Sequence, residues 1–151
     1  MALLGGAALQ LLGSDRLTKD IEFAADRPLD GLLAQGTLDF GGIKATTPSG
    51  VPVDLVLRDD KYRALYEAAV DHATRIDGVP VLVVRSEYLI AMKMVAGRPK
   101  DDGDLEFLIG DCGVDLERAR AVVSEHLGPY AVDKLERYCD EVAWRRSRDS
   151  E

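Results

Sequence analysis

The sequence predicts an α/β protein of the α+β kind, with strands gathered in its first half and helices in its second. Three observations lead there. Two short runs, Asp20-Ile21-Glu22-Phe23 and Val51-Pro52-Val53-Asp54-Leu55-Val56-Leu57, alternate their side chains with the period of a strand. A Gly41-Gly42 pair separates two β-favouring runs in the manner of a hairpin turn. From Lys61 to Ala73, and again from Asp104 onward, apolar residues recur at helical spacing.

A chain of 151 residues with 46% hydrophobic content is long enough for one domain with its own core. A soft boundary near Gly110 sets residues 1–110 apart from C-terminal helices in 111–151 that are expected to pack on them. No apolar run approaches the roughly 20 residues of a bilayer span, and the first residues lack a leader's basic and long apolar regions. A cytoplasmic protein with no membrane association is expected. Cys112 and Cys139 are far apart and near no histidine, so they read as reduced residues and not as zinc ligands or a disulfide scaffold. The 27 acidic residues against 19 basic ones give a net charge of -8, which disfavours long duplex nucleic acid and suits a small or locally docked substrate. Arg145-Arg146-Ser147-Arg148 reads first as a solvated, frayed tail and second as a contact for RNA or a partner.

Taken in order, Leu4-Gly5-Gly6 forms a tight turn and Ala7 to Leu12 an amphipathic helix. A helix that starts at glycine leaves N–H groups and a positive dipole end available to a phosphate. In the strand that follows, Asp20 and Glu22 share one face while Ile21 and Phe23 take the other. Two like charges so placed repel each other, and a divalent cation with hard oxygen ligands, such as Mg²⁺, is the usual reason for the pairing.

Ala25 to Leu33, with Pro28 and Gly31, reads as a loop holding at most a helical turn. Thr37 to Phe40 and Ile43 to Thr47 flank Gly41-Gly42 as the arms of a hairpin, and Thr47-Pro48-Ser49-Gly50 is a second turn. In the strand after it, Val51, Val53, Leu55 and Leu57 share one face. Asp54 goes with Val56 to the other, towards the face of Asp20 and Glu22.

The helix from Lys61 to Ala73 carries a stripe of Tyr62, Leu65, Tyr66, Ala69 and Val70, whose tyrosines read as core and, second, as a platform for a nucleobase. Val79 to Val84 reads as a buried or edge strand, with Pro80 tolerated near its start. Ser86 caps a helix in which Tyr88 to Ala96 is apolar apart from Lys93. Either the stem of Lys93 packs while its ammonium snorkels to water, or the ammonium points at the acidic site and meets a nucleotide phosphate or an acid. Asp101 and Asp102 stand where the next helix is capped. Leu105 to Ile109, Leu116 to Leu127 and Tyr130 to Trp144 read as helices with no legible chemistry.

Leu4-Gly5-Gly6 followed by Asp20-Ile21-Glu22-Phe23 resembles the signature of the polymerase-beta-like nucleotidyltransferase superfamily. The lead-in Arg16-Leu17-Thr18-Lys19-Asp20 is similar to that of its abortive-infection toxin branch and uncharacterised relatives. Glu87, Leu89, Lys93, Ala96 and Arg98, followed by Lys100, Asp101 and Asp104, resemble the lysine helix and downstream acid of the same branch. The resemblance spans residues 3–110, the nucleotidyltransferase-like core, and implies a small mixed β-sheet of the nucleotidyltransferase fold packed with helices. A third metal acid comes from a later strand in that family, a slot that Asp54 fits.

The activity so implied is metal-dependent transfer of a nucleoside monophosphate from a nucleoside triphosphate to an acceptor hydroxyl. Asp20, Glu22 and Asp54 would hold two Mg²⁺ ions, with Asp54 also the general base. Gly5 and Gly6 would cradle the triphosphate. Lys93 would offset charge on the phosphoryl oxygens, oriented by Asp104 or Asp101. The acceptor, whether protein, RNA or a small molecule, is not named by these residues. A second class is a nucleotidyltransferase fold kept as a non-catalytic binding or antitoxin-like regulatory module. The family places a helix before the glycine turn, where this sequence has Met1-Ala2-Leu3-Leu4; a missing helix would leave an apolar patch that favours self-association or a partner protein.

Overall fold

Strand-forming residues are confined to the first 85 positions. In the computed structural model, which describes residues 1–18 and 20–150, they form β1 (Ala2–Leu4), β2 (Ile21–Ala24), β3 (Leu33–Thr37), β4 (Gly42–Thr46), β5 (Pro52–Val56), β6 (Thr74–Arg75) and β7 (Leu82–Val83). Lys19, within the Arg16 to Asp20 lead-in, and Glu151 lie outside the described residues. The chain packs as two compact units, Met1–Arg85 and Ser86–Glu151, so the helices on either side of Gly97 group with the C-terminal ones.

In the first unit the strands make one mixed sheet in the order β3-β4-β5-β2-β1-β7-β6. β2 runs parallel to β5 and β1 parallel to β7, while the other neighbours are antiparallel. Two short helices, α1 (Gly5–Leu11) and α2 (Arg63–Asp71), complete the unit. Its core is drawn from Leu3, Leu9, Leu55, Leu65, Ala69 and Val83, all nearly inaccessible to solvent. Burying a Leu or Val side chain contributes about 1.5–3 kcal/mol before the entropy of ordering it is counted.

β4 and β5 form a hairpin closed by the predicted second turn. The Thr47 N–H donates to the Val51 carbonyl (3.0 Å), the Gly50 N–H to the Thr47 carbonyl (2.9 Å), and the Val51 N–H to Thr47 Oγ1 (3.1 Å). The Gly41-Gly42 hairpin is also present, but its first arm is Leu33–Thr37, with Leu38 to Gly41 turning. All five residues of β3 are exposed, so nothing in their order marks a strand. Residues 2–4 form an interior strand with all three side chains buried, the continuous apolar run expected where a strand is covered on both faces. In β5, Val53 and Leu55 are buried and Asp54 half-buried, as the alternation predicts; Val56, on the face of Asp54, is buried as well.

The second unit is α3 (Ser86–Ala96), α4 (Pro99–Gly110), α5 (Leu116–Leu127) and α6 (Pro129–Asp149). Asp115 caps α5 by accepting from the Arg118 N–H (3.2 Å), and Pro129 occupies the first turn of α6, where its missing N–H is harmless. Leu105, Leu108, Ala119, Val123 and Leu135 are its buried centre. The basic cluster is helical and engaged: Arg145 pairs with Glu106 (3.1 Å) and Glu141, Arg146 is bidentate to Asp111 (2.7 and 2.9 Å), and Arg148 lies over the Trp144 ring (4.9 Å). The expectation of a frayed tail fails because Glu106 in α4, Asp111 just after it and Glu141 one turn earlier in α6 hold these arginines. No helix among the described residues is long and apolar enough to cross a membrane.

Candidate active site

A row of side chains crosses the sheet of the first unit. β2 and β5 set Glu22 beside Asp54, and β5 and β4 set Lys44 beside Asp54. Residues paired in register project from the same face, so Glu22, Asp54 and Lys44 stand side by side. At one end Leu4 pairs with Glu22 and leads into Gly5; at the other Lys44 pairs with Gly36, which adds no side chain.

Asp20 lies one residue before β2 and two from Glu22, in the same alternation. Burial first, and then the negative charge of Asp20, hold the Asp54 carboxyl above the ordinary aspartate range, while Lys44 pulls it down. Asp20 and Asp54 are therefore close enough to repel.

The glycine turn closes directly on this row. Gly5 has φ +66°, a left-handed conformation that other residues rarely take, and a Cβ added there would lie 2.9 Å from Glu22 Cδ and 3.0 Å from both its oxygens. At Gly6 an added Cβ would come within 2.7 Å of Thr18 Cβ and 3.0 Å of Arg16 Nη2. The two glycines thus let the start of α1 meet a carboxylate, a hydroxyl and a guanidinium at van der Waals distance. The loop that brings Thr18 and Arg16 there is tied by Gln10 Nε2 donating to the Arg16 carbonyl (2.9 Å) and Thr18 Oγ1 to the Asp20 carbonyl (3.1 Å).

Tyr62 and Tyr66 do not present open faces. The Arg58 guanidinium, 3.0 Å from both oxygens of Asp60, sits over the rings of Phe40 (4.8 Å), Tyr62 (5.3 Å) and Tyr66 (5.2 Å). Burial pushes the Tyr66 phenol up; Arg58 opposes this, and the charge of Glu22 adds to it. The aromatic stripe read as core or nucleobase platform is thus occupied by an arginine of the same unit.

Lys93, Asp101 and Asp104 come together in the second unit. The Lys93 ammonium lies 3.2 Å from Asp101 and 2.7 Å from Asp104, with side-chain exposures of 7%, 1% and 2%. Snorkelling would require the ammonium in water, and it is buried. Asp101 also accepts from the Arg98 N–H (2.9 Å) and Arg98 Nε (3.0 Å), so it closes the first turn of α4 from inside the helix. Burial alone would raise its carboxyl; Arg98 and Lys93 hold it below the ordinary range.

Among the described residues no three His, Cys, Asp or Glu side chains already converge to grip an ion. The donor set of the row suits a hard cation all the same: carboxylates only, two in adjacent register and a third repelling one of them. Lys44 was not singled out by the sequence reading, although counting outward from the 47–50 turn pairs it with Asp54. Cys112 and Cys139 are half-buried free thiols, each pushed up by burial first and then by a neighbouring carboxylate. The sequence matches no known family model and no curated protein.

Proposed function

We propose that the first unit is a metal-dependent nucleotidyltransferase of the polymerase-beta-like kind, transferring a nucleoside monophosphate from a nucleoside triphosphate to an acceptor hydroxyl. The observation that carries this reading is the register of Glu22 with Asp54, with Asp20 close enough to repel Asp54 and Gly5 pressed against the Glu22 carboxylate. Asp20, Glu22 and Asp54 would hold Mg²⁺, which supplies charge stabilisation to the transferring phosphoryl group. Asp54, with its raised affinity for a proton, takes the proton of the acceptor hydroxyl. The Gly5-Gly6 turn and the Arg16 guanidinium against it receive the triphosphate. Lys93, its charge balanced by Asp101 and Asp104, holds α3 to α4 in the second unit.

A second reading, a binding or regulatory module without catalysis, is favoured by one observation: Lys44 already supplies a positive charge beside Asp54. Two measurements separate the readings. Calorimetry with Mg²⁺ and each common nucleoside triphosphate reports binding; transfer of an α-phosphate label to the protein, RNA and small-molecule fractions of an extract reports chemistry. Wild-type protein is expected to bind and transfer, with Asp54→Asn losing at least ~100-fold in transfer. Binding without transfer supports the module. The absence of metal-dependent nucleotide binding overturns the transferase and leaves the regulatory module standing.

A further inference from the structure

We propose that Lys44 is a resident counter-cation of Asp54 in the acidic row: it competes with the divalent ion for that carboxylate and sets how tightly the site takes metal. The inference rests on reading Asp20, Glu22 and Asp54 as a metal site, and it adds a positioning residue that reading lacks. Lys44 is the one basic residue on the three strands β2, β5 and β4, and register puts it beside Asp54 on the shared face.

Lys44 also has somewhere to go. Its outer neighbour in the row is Gly36, and a Cβ added there would meet nothing within 4 Å, so the exposed lysine stem is free to swing over β3 when a metal arrives. A long, flexible side chain beside an open glycine is a displaceable charge. A buried, hydrogen-bonded one, such as Lys93, is not.

The test uses the full chain and Mn²⁺ alone as the probe. Titration calorimetry compares wild type with Lys44→Met, Lys44→Gln and Lys44→Arg, and thermal unfolding is followed in chelator and in Mn²⁺. Removing one charge from a partly screened site should tighten Mn²⁺ binding by roughly three- to tenfold in the Met and Gln variants. The same two variants should unfold at lower temperature in chelator and gain more from Mn²⁺ than wild type does, whereas Arg should track wild type. Equal or weaker Mn²⁺ binding by the neutral variants overturns the role of Lys44 while leaving the metal site standing. No Mn²⁺ binding by any of the four proteins overturns the metal reading and this inference with it. Lys44→Gln keeps the test available if Lys44→Met folds poorly.

Discussion

Replacing Lys93 with methionine should destabilise the protein more than any other single change at a sequence-predicted site residue. The substitution keeps the stem's volume and removes the ammonium, leaving Asp101 and Asp104 as carboxylates with exposures of 1% and 2%. Removing one partner of a buried ion pair typically costs about 3–5 kcal/mol, because the remaining charge stays desolvated. Arg98 still reaches Asp101 at 3.0 Å, so the lower end of that range, about 3 kcal/mol, is expected. For a chain of this size that is a fall in melting temperature of roughly 6–12 °C.

Urea denaturation followed by circular dichroism at pH 7 measures it. Two further features identify the cause. The deficit should shrink in acid, as the stranded carboxyls take up protons, and the double variant Lys93→Met, Asp104→Leu should recover much of the loss by replacing a charged pair with apolar groups. A Lys93→Met protein within about 0.5 kcal/mol of wild type would refute the reasoning, since only a solvated ammonium is that dispensable.

Gly5→Ala must place a Cβ at φ +66° and 2.9 Å from Glu22 Cδ, so it should cost about 1–3 kcal/mol in urea and weaken Mn²⁺ binding by displacing that carboxylate; unchanged Mn²⁺ affinity would separate the turn from the site. Asp54→Asn should be as stable as wild type or slightly more so at neutral pH. The folded Asp54 pKa is raised above the ordinary 3.8, so the ionised group opposes folding above that value. Wild type should gain on the variant as pH falls through the raised pKa and Asp54 takes up a proton. Urea midpoints at pH 7 and pH 4 show the trend, and a wild type that loses ground on acidification contradicts the sign.

What was legible in the sequence follows from how far each signal reaches along the chain. Helices α4 to α6 declared themselves through apolar spacing, while the cap of α5 by Asp115 was not read. The facing of Asp54 was readable from alternation alone, because one strand sets it. β1 was not, since three apolar residues without a polar one carry no period, and neither was β6, two residues long; β7 falls inside the run from Val79 to Val84 read as a strand, but spans only Leu82–Val83 of it. The Lys44–Asp54 neighbourhood needed strand pairing as well as strand pattern. The partners of Lys93 lie on the far side of the Gly97-Arg98-Pro99 break, in the next helix; the resemblance named Asp101 and Asp104 as residues that orient it, while the burial of all three side chains was not readable from the sequence. Arg145 and Arg146 are a similar case, with acids in and after α4.

Two of the ionic groups of this chain, the cluster around Lys93 and the row on the sheet, differ in a way that bears on what each is for. In the second unit, Lys93 and Arg98 face Asp101 and Asp104: two cations and two anions, the acids buried and hydrogen-bonded, with Asp101 held below the ordinary carboxylate range. On the sheet of the first unit, burial first and then the charge of Asp20 raise the Asp54 pKa despite Lys44 beside it, and Gly5 presses against the third acid. A carboxylate whose pKa is raised in the native state weakens the fold at neutral pH, and packing gives no reason to place another acid next to it. A cation from solution would reverse that penalty, so Mn²⁺ should stabilise the chain in proportion to its occupancy of the row. The cluster around Lys93, whose two acids are already paired with its ammonium, should add nothing to that gain.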